Sequence, residues 1–85
     1  MDKHILVIDD NEVIRKSFVL ALKDTKYQVD TAESGEEGVD KERSKKYDLI
    51  FLDLKMPGMS GIEALRHIRK VNQKTPVYTE HTSVW

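Results

Sequence analysis

Two short stretches decide the fold: Ile5-Leu6-Val7-Ile8-Asp9-Asp10 and Leu49-Ile50-Phe51-Leu52-Asp53. Each is a run of four apolar residues that ends in acid, and such a run reads as a strand buried on both faces. A carboxylate at the tip of a buried strand is costly unless something uses or neutralises it. In open α/β sheets that tip is also where ligands bind. The placement of Asp9, Asp10 and Asp53 therefore says more about function than the rest of the chain.

Outward from these stretches, strand and helix signals alternate without a linker, an internal repeat or a low-complexity segment. His4 to Ile8 is the first strand. Asn11 can cap a helix from Glu12 to about Asp24, with Val13, Ile14, Phe18, Ala21 and Leu22 as its apolar stripe. Tyr27 to Ala32 is a second strand, with Val29 its surest buried position. Ser34-Gly35-Glu36-Glu37 is a capping box that opens a helix to about Lys45, thin in apolar residues (mainly Val39) and weakened by Gly38. Tyr47 to Asp53 is the third strand. Met56-Pro57-Gly58-Met59-Ser60-Gly61 is a turn-rich loop. Ile62, Leu65, Ile68 and Val71 then mark a third helix, and Pro76-Val77-Tyr78 begins a fourth strand.

Strands alternating with crossover helices imply parallel βαβ units. The strand starts at positions 4 and 76 enclose three units of about 24 residues each. A five-unit doubly wound domain at that pitch needs about 120 residues, roughly 35 more than this chain has. The expected architecture is a doubly wound parallel sheet truncated to about four strands and three helices, β1α1β2α2β3α3β4.

Composition narrows the function classes. Eighty-five residues allow one small domain, and 39% hydrophobic residues allow a modest core. Fourteen Lys and Arg against fifteen Asp and Glu give a net charge of −1, so nucleic acid is not an expected partner. The absence of cysteine excludes disulfides and Cys-based metal or redox chemistry, and fits a reducing cytoplasm. No apolar run approaches the roughly 18 residues of a membrane span, and the first strand starts too early to leave room for a signal peptide. A soluble cytoplasmic domain is expected.

If the first and third strands are neighbours, their tips lie about 4.8 Å apart in the pairing direction. Asp9, Asp10 and Asp53 then crowd into one pocket, where like charges repel unless a cation intervenes. An all-oxygen pocket with two or three carboxylates suits Mg²⁺. Mg²⁺ in turn neutralises phosphate oxygens in phosphoryl transfer, for which a carboxylate can be the nucleophile. By position, the paired Asp9 and Asp10 suit the metal, and the single Asp53 suits the phosphoacceptor.

These residues resemble a known family. Ile5-Leu6-Val7-Ile8-Asp9-Asp10, followed by Leu49-Ile50-Phe51-Leu52-Asp53-Leu54-Lys55-Met56-Pro57-Gly58-Met59-Ser60-Gly61, is similar to the receiver domain of two-component response regulators. The likeness runs from about Lys3 to Val77, with residues 78–85 as a divergent tail or edge strand. It implies the flavodoxin-like strand order 2-1-3-4-5, in which strands one and three are neighbours. It also implies that Asp53 accepts a phosphoryl group from a histidine kinase or phosphotransfer protein. Mg²⁺ would be bound by Asp10, Asp53 and the main-chain carbonyl of Lys55, with Asp9 assisting through water. Asn11, Ile14, Arg15, Phe18 and Pro57 would help to dock the partner, although periodicity alone puts Ile14 and Phe18 in the core.

The chain departs from the family pattern at its end. The resemblance calls for a Ser or Thr at the end of the fourth strand, and the count from Pro76 puts that position at His81. Thr79 falls two residues early and Thr82 one late, where a bulge would bring Thr82 into place as the switch residue. The Lys that ends a fifth strand has no counterpart. The tail from Tyr78 to Trp85 is too polar for a central parallel strand. An incomplete sheet exposes apolar surface and a strand edge, so homodimerisation through the C-terminal edge is expected, with strand exchange as one form of it. Trp85 reads as an interface or packing anchor. His4, His67 and His81 lack metal-ligand spacing, and Lys41-Glu42-Arg43-Ser44-Lys45-Lys46 reads as a wet helix face.

The leading expectation is a phosphoacceptor signalling domain with impaired switching, not an enzyme. The alternative is a non-switching dimerisation or interaction module of the same ancestry. A Mg²⁺-dependent phosphatase is disfavoured, because Lys55 stands where a general-acid carboxylate would be needed.

Overall fold

The computed structural model describes residues 3–56, 58–59 and 61–80. Its elements follow in the order β1 (Lys3–Ile8), α1 (Glu12–Ala21), β2 (Tyr27–Ala32), α2 (Gly35–Ser44), β3 (Leu49–Asp53), α3 (Gly61–Val71) and β4 (Val77–Glu80). The strands form one sheet in the order β2-β1-β3-β4, every pair parallel. This is the doubly wound arrangement expected from the alternating pattern. It seats β1 beside β3 with Ile8 opposite Leu52, so Asp9 and Asp53 follow the same rung of the ladder.

Side-chain alternation along the strands divides the core unequally. Leu6, Ile8, Ala32, Ile50 and Leu52 meet Val39 of α2 and Ala64 and Ile68 of α3 in one cluster, completed by Tyr47 and Met56. Burying a large aliphatic side chain fully contributes about 1.5–3 kcal/mol, and Leu6, Ile8, Ile50, Leu52 and Ile68 all reach full burial on this side. The opposite face carries Ile5, Val7 and Phe51 and, among the described residues, is covered by α1 alone, which has no buried residue. Its main anchor is Phe18, whose ring lies 4.6 Å from that of Phe51, with Tyr78 stacked on Phe51 at 5.8 Å. Tyr78 stays 60% exposed.

Several sequence expectations need correction. α1 stops at Ala21 rather than Asp24, because a run of turns follows and the Thr25 hydroxyl donates to the Leu22 carbonyl at 2.7 Å. Within α1, Val13 is 70% exposed and Ala21 is exposed, so the stripe touching the sheet narrows to Ile14, Phe18 and Leu22. On β2 the buried residue is Ala32, and Val29 is half-buried on the thinly covered face. β3 begins at Leu49. Tyr47 precedes it, buried, with its hydroxyl donating to Asp30 Oδ2 at 2.7 Å.

The glycines explain the remaining corrections. α3 buries Gly61, Ala64 and Ile68, while Ile62 and Val71 are exposed. Small residues let α3 lie close to α2: a Cβ on Gly35 would come within 3.3 Å of Ala64 Cβ. That close approach turns the helix away from its larger apolar residues. Gly38, a weak helix former by propensity, is required in place: a Cβ there would lie 2.4 Å from Ile8 Cδ1.

Candidate functional site

Asp9, Asp10 and Asp53 meet at the carboxyl ends of β1 and β3. One oxygen from each lies within 4.8 Å of the others. Asp9 is 6% exposed, Asp53 is half-buried and Asp10 is exposed, so the cluster opens outward from Asp9. Each carboxylate is placed by local backbone. The Asp9 N–H donates to the Ala32 carbonyl at 3.0 Å, extending the ladder one residue past β1. Its Oδ1 accepts the Asn11 N–H at 2.8 Å in an Asx turn. Asn11 in turn caps α1 by accepting from Val13 N at 2.8 Å and Ile14 N at 3.4 Å. On the other strand, Asp53 Oδ1 accepts the Lys55 N–H at 2.9 Å.

A single side chain ties the β1–α1 turn to the residue that follows β2. Arg15 Nη1 donates to the Asp9 main-chain carbonyl at 2.9 Å, and its Nη2 lies 3.7 Å from Glu33 Oε2. The resemblance places Arg15 among partner-docking residues; in the structure its side chain is mostly buried and braces the acidic turn. Its position one turn into α1, on the face toward β1, was the available signal. Ile14 and Phe18 are also half-buried against the sheet, and Asn11 is the exposed cap. The large apolar residues that α1 exposes are Val13, Val19 and Leu20, of which Val13 and Leu20 are seven positions apart and therefore on one stripe.

The following loop is shaped by close approach. A Cβ on Gly61 would lie 2.3 Å from Leu54 Cα and 2.5 Å from the Asp53 carbonyl oxygen. Gly58 has φ +75°, a left-handed conformation that favours glycine. Met56 is buried beneath the loop. In β4 the register partner of Asp53 is Glu80, and Thr79 lies opposite Leu52. Pro57, His81, Thr82 and Trp85 lie outside the described residues.

The donor set fits a hard divalent cation. Ligands of a Mg²⁺ ion at about 2.1 Å are roughly 3 Å apart when adjacent and 4.2 Å when opposite. Oxygens within 4.8 Å of one another approach that spacing, and the fit is easier where one carboxylate acts through water. All three donors are carboxylates, the ligand type such ions prefer.

The sequence and the fold both recur in known proteins. Residues 5–83 match the response regulator receiver domain family. The chain belongs to that family. Over 73 residues this receiver is 44% identical to the cell cycle response regulator CtrA of Brucella ovis, covering 86% of the chain and 32% of that protein. It therefore spans about a third of the length of the curated relatives it matches. Among solved structures, it superimposes on the Vibrio cholerae chemotaxis protein CheY4 with TM-score 0.91 and 30% identity, over 100% of this chain and 72% of that one. The response regulator TrrA of Thermotoga maritima, solved in complex with Mg²⁺-BeF, matches with TM-score 0.87 and 41% identity, over 95% of this chain and 70% of that one. The flavodoxin-like fold inferred from the sequence is that of these neighbours.

Proposed function

We propose that this receiver accepts a phosphoryl group on Asp53 from a phosphohistidine of a sensor kinase or phosphotransfer protein, and that it does so in the cytoplasm. The observation that carries this reading is the convergence of Asp9, Asp10 and Asp53 within 4.8 Å at the strand tips. An oxygen of the Asp53 carboxylate attacks phosphorus, an O–P bond forms as the P–N bond to the donor imidazole breaks, and the histidine nitrogen leaves with the electron pair. The product is an acyl phosphate on Asp53, and the domain is the acceptor rather than a turnover enzyme.

Mg²⁺, held by Asp10, Asp53 and the Lys55 main-chain carbonyl with Asp9 acting through water, would neutralise the phosphoryl oxygens. The protein's own contribution is positional. The Lys55 N–H holds one Asp53 oxygen, Arg15 and the Asn11 N–H hold Asp9, and the sealed rung of Ile8 and Leu52 sets the gap between them. The cap at Asn11 and the exposed Val13 in the first turn of α1 stand beside this opening, and Leu20 continues their stripe along the helix, which suits an incoming helical partner.

The test is intact mass after incubation with Mg²⁺ and acetyl phosphate. One phosphoryl adduct is expected, dependent on Mg²⁺ and absent in Asp53→Asn. Folded protein that stays unmodified would overturn the proposal. A second reading, association of two copies along β4, is favoured by the outer position of that strand and the exposure of Tyr78. Sedimentation at micromolar concentration tests it: a dimer weakened by Tyr78→Lys supports it, and a monomer sinks it.

A further inference from the structure

A depression of about 480 Å³ lies between the last turns of α2 and α3, at the end of the sheet opposite the acidic cluster. Arg43, Lys45, Lys46, Lys70 and Lys74 line it, with Val71 and Gln73 between them. Lys45 is committed elsewhere: its Nζ bonds Asp30 Oδ2 at 3.1 Å and sits 5.6 Å from the Tyr47 ring centroid. Arg43, Lys46, Lys70 and Lys74 make no side-chain hydrogen bond or ion pair with any described residue. Four cations without a side-chain partner among the described residues share one concavity.

Helix ends explain part of this. Cations in a last turn complement the macrodipole, which accounts for Arg43 in α2 and Lys70 in α3. Lys46 and Lys74 lie beyond both helices, where that benefit fades. The carboxyl in the same wall does not offset them well. Glu42 is 4% exposed, its Oε1 accepts from Asn72 Nδ2 at 3.3 Å, and its Oε2 is buried without a partner. Burial raises its pKa, against the smaller opposing effects of the Asn72 bond and Arg69.

We infer that this depression binds a small anion carrying two or more adjacent phosphates. Its volume lies in the range of small-molecule sites, and the cations match a diphosphate or triphosphate in number. No aromatic side chain lines it, so it offers no platform on which bases of a single-stranded nucleic acid would stack.

The test uses the full chain in EDTA, so that the acidic cluster recruits no metal, with tripolyphosphate as the probe. Saturable one-to-one binding is expected by titration calorimetry, with amide shifts concentrated in residues 42–46 and 70–74. Lys70→Glu with Lys74→Glu should weaken it by about 30-fold or more, from reversing two charges beside the ligand. Lys23→Glu, an exposed reversal in the turn after α1, should leave it within about twofold at 0.15 M salt. Glu42→Gln keeps an acceptor for Asn72, removes the one negative charge in the wall, and should tighten binding. Absence of saturation, or equal losses from the Lys23 and the Lys70/Lys74 reversals, would show diffuse charge and overturn the inference. Tighter binding of a single-stranded oligonucleotide than of tripolyphosphate would overturn it too.

Discussion

Gly38→Ala sets helix propensity against packing, and the geometry says that packing wins. In an exposed helix interior the exchange gains about 0.8–1.0 kcal/mol. At this position the new Cβ would lie 2.4 Å from Ile8 Cδ1, 2.7 Å from Cγ1 and 3.2 Å from Cγ2. Carbon atoms sit comfortably at about 3.5–4.0 Å, so the overlap exceeds an ångström at the nearest atom. Ile8 is fully buried and cannot swing into solvent. Overpacking costs about 1–3 kcal/mol, and three contacts on one sealed side chain place this case toward the upper end. The net loss is about 1–2 kcal/mol, or roughly 5–15 °C in Tm for a domain of this size. Ile8→Val removes Cδ1, the atom with the worst overlap, and alone costs about 0.5–1.5 kcal/mol. In the double variant the worst overlap is gone while the 2.7 Å approach to Cγ1 remains, so the two changes couple favourably but only in part, by about 1 kcal/mol. Urea midpoints at constant m-value measure all four corners of the cycle. A stabilised Gly38→Ala protein, or coupling indistinguishable from zero, would refute the reasoning.

Two further outcomes follow from the same structure. In Gly61→Ala the new Cβ meets main chain, Leu54 Cα and the Asp53 carbonyl, which cannot change rotamer. A loss of about 3 kcal/mol is expected, together with slower phosphorylation of the displaced Asp53, and an unchanged Tm and adduct rate would contradict it. Tyr47→Phe deletes the bond to Asp30 Oδ2, worth about 1 kcal/mol at pH 7 given the partial exposure of Asp30. Burial pushes the Asp30 carboxyl up, but the bonds from Tyr47 and Lys45 outweigh it and hold its pKa below the ordinary value. A lowered folded pKa gives stability that is present above about pH 4 and lost as the pH falls further. The gap in Tm between Tyr47→Phe and the parent should therefore narrow on acidification, and a gap constant from pH 7 to pH 3 would count against the bond.

The acidic site was legible because its signal is local to the strands. Two apolar runs ending in acid fix which residues reach the sheet edge, and parallel pairing of β1 with β3 does the rest. Loop and helix faces were less legible. Ile62, Leu65, Ile68 and Val71 show helical spacing, but spacing cannot say that Gly35 and Ala64 draw α2 and α3 together and rotate Ile62 outward. Gly38 reads as a weakness by propensity, and only the position of Ile8 shows why it is needed. Arg15 could be read for docking because no one-dimensional pattern shows a guanidinium reaching a carbonyl six residues earlier. Glu42 was lost in a charged run, although Arg43 to Lys46 in that run are exposed and it is not.

The unequal faces bear directly on the site. Asp53 extends the β3 row that carries Leu49 and Phe51, on the side covered only by α1, whereas Ile8 and Leu52 beneath it belong to the dense cluster with α2 and α3. The dense side resists displacement, since any shift there opens a void or forces an overlap among sealed side chains. The thin side is restrained less: Ile5 and Val7 are buried there, but Phe18, Phe51 and Tyr78 form a row of rings that ends at an exposed edge strand. Once Asp53 carries the proposed phosphoryl group, a shift along Phe51 toward Tyr78 is expected to cost less than one through Leu52. The chain's rigid half fixes the spacing of the carboxylates, and its loosely covered half is where a response to them costs least.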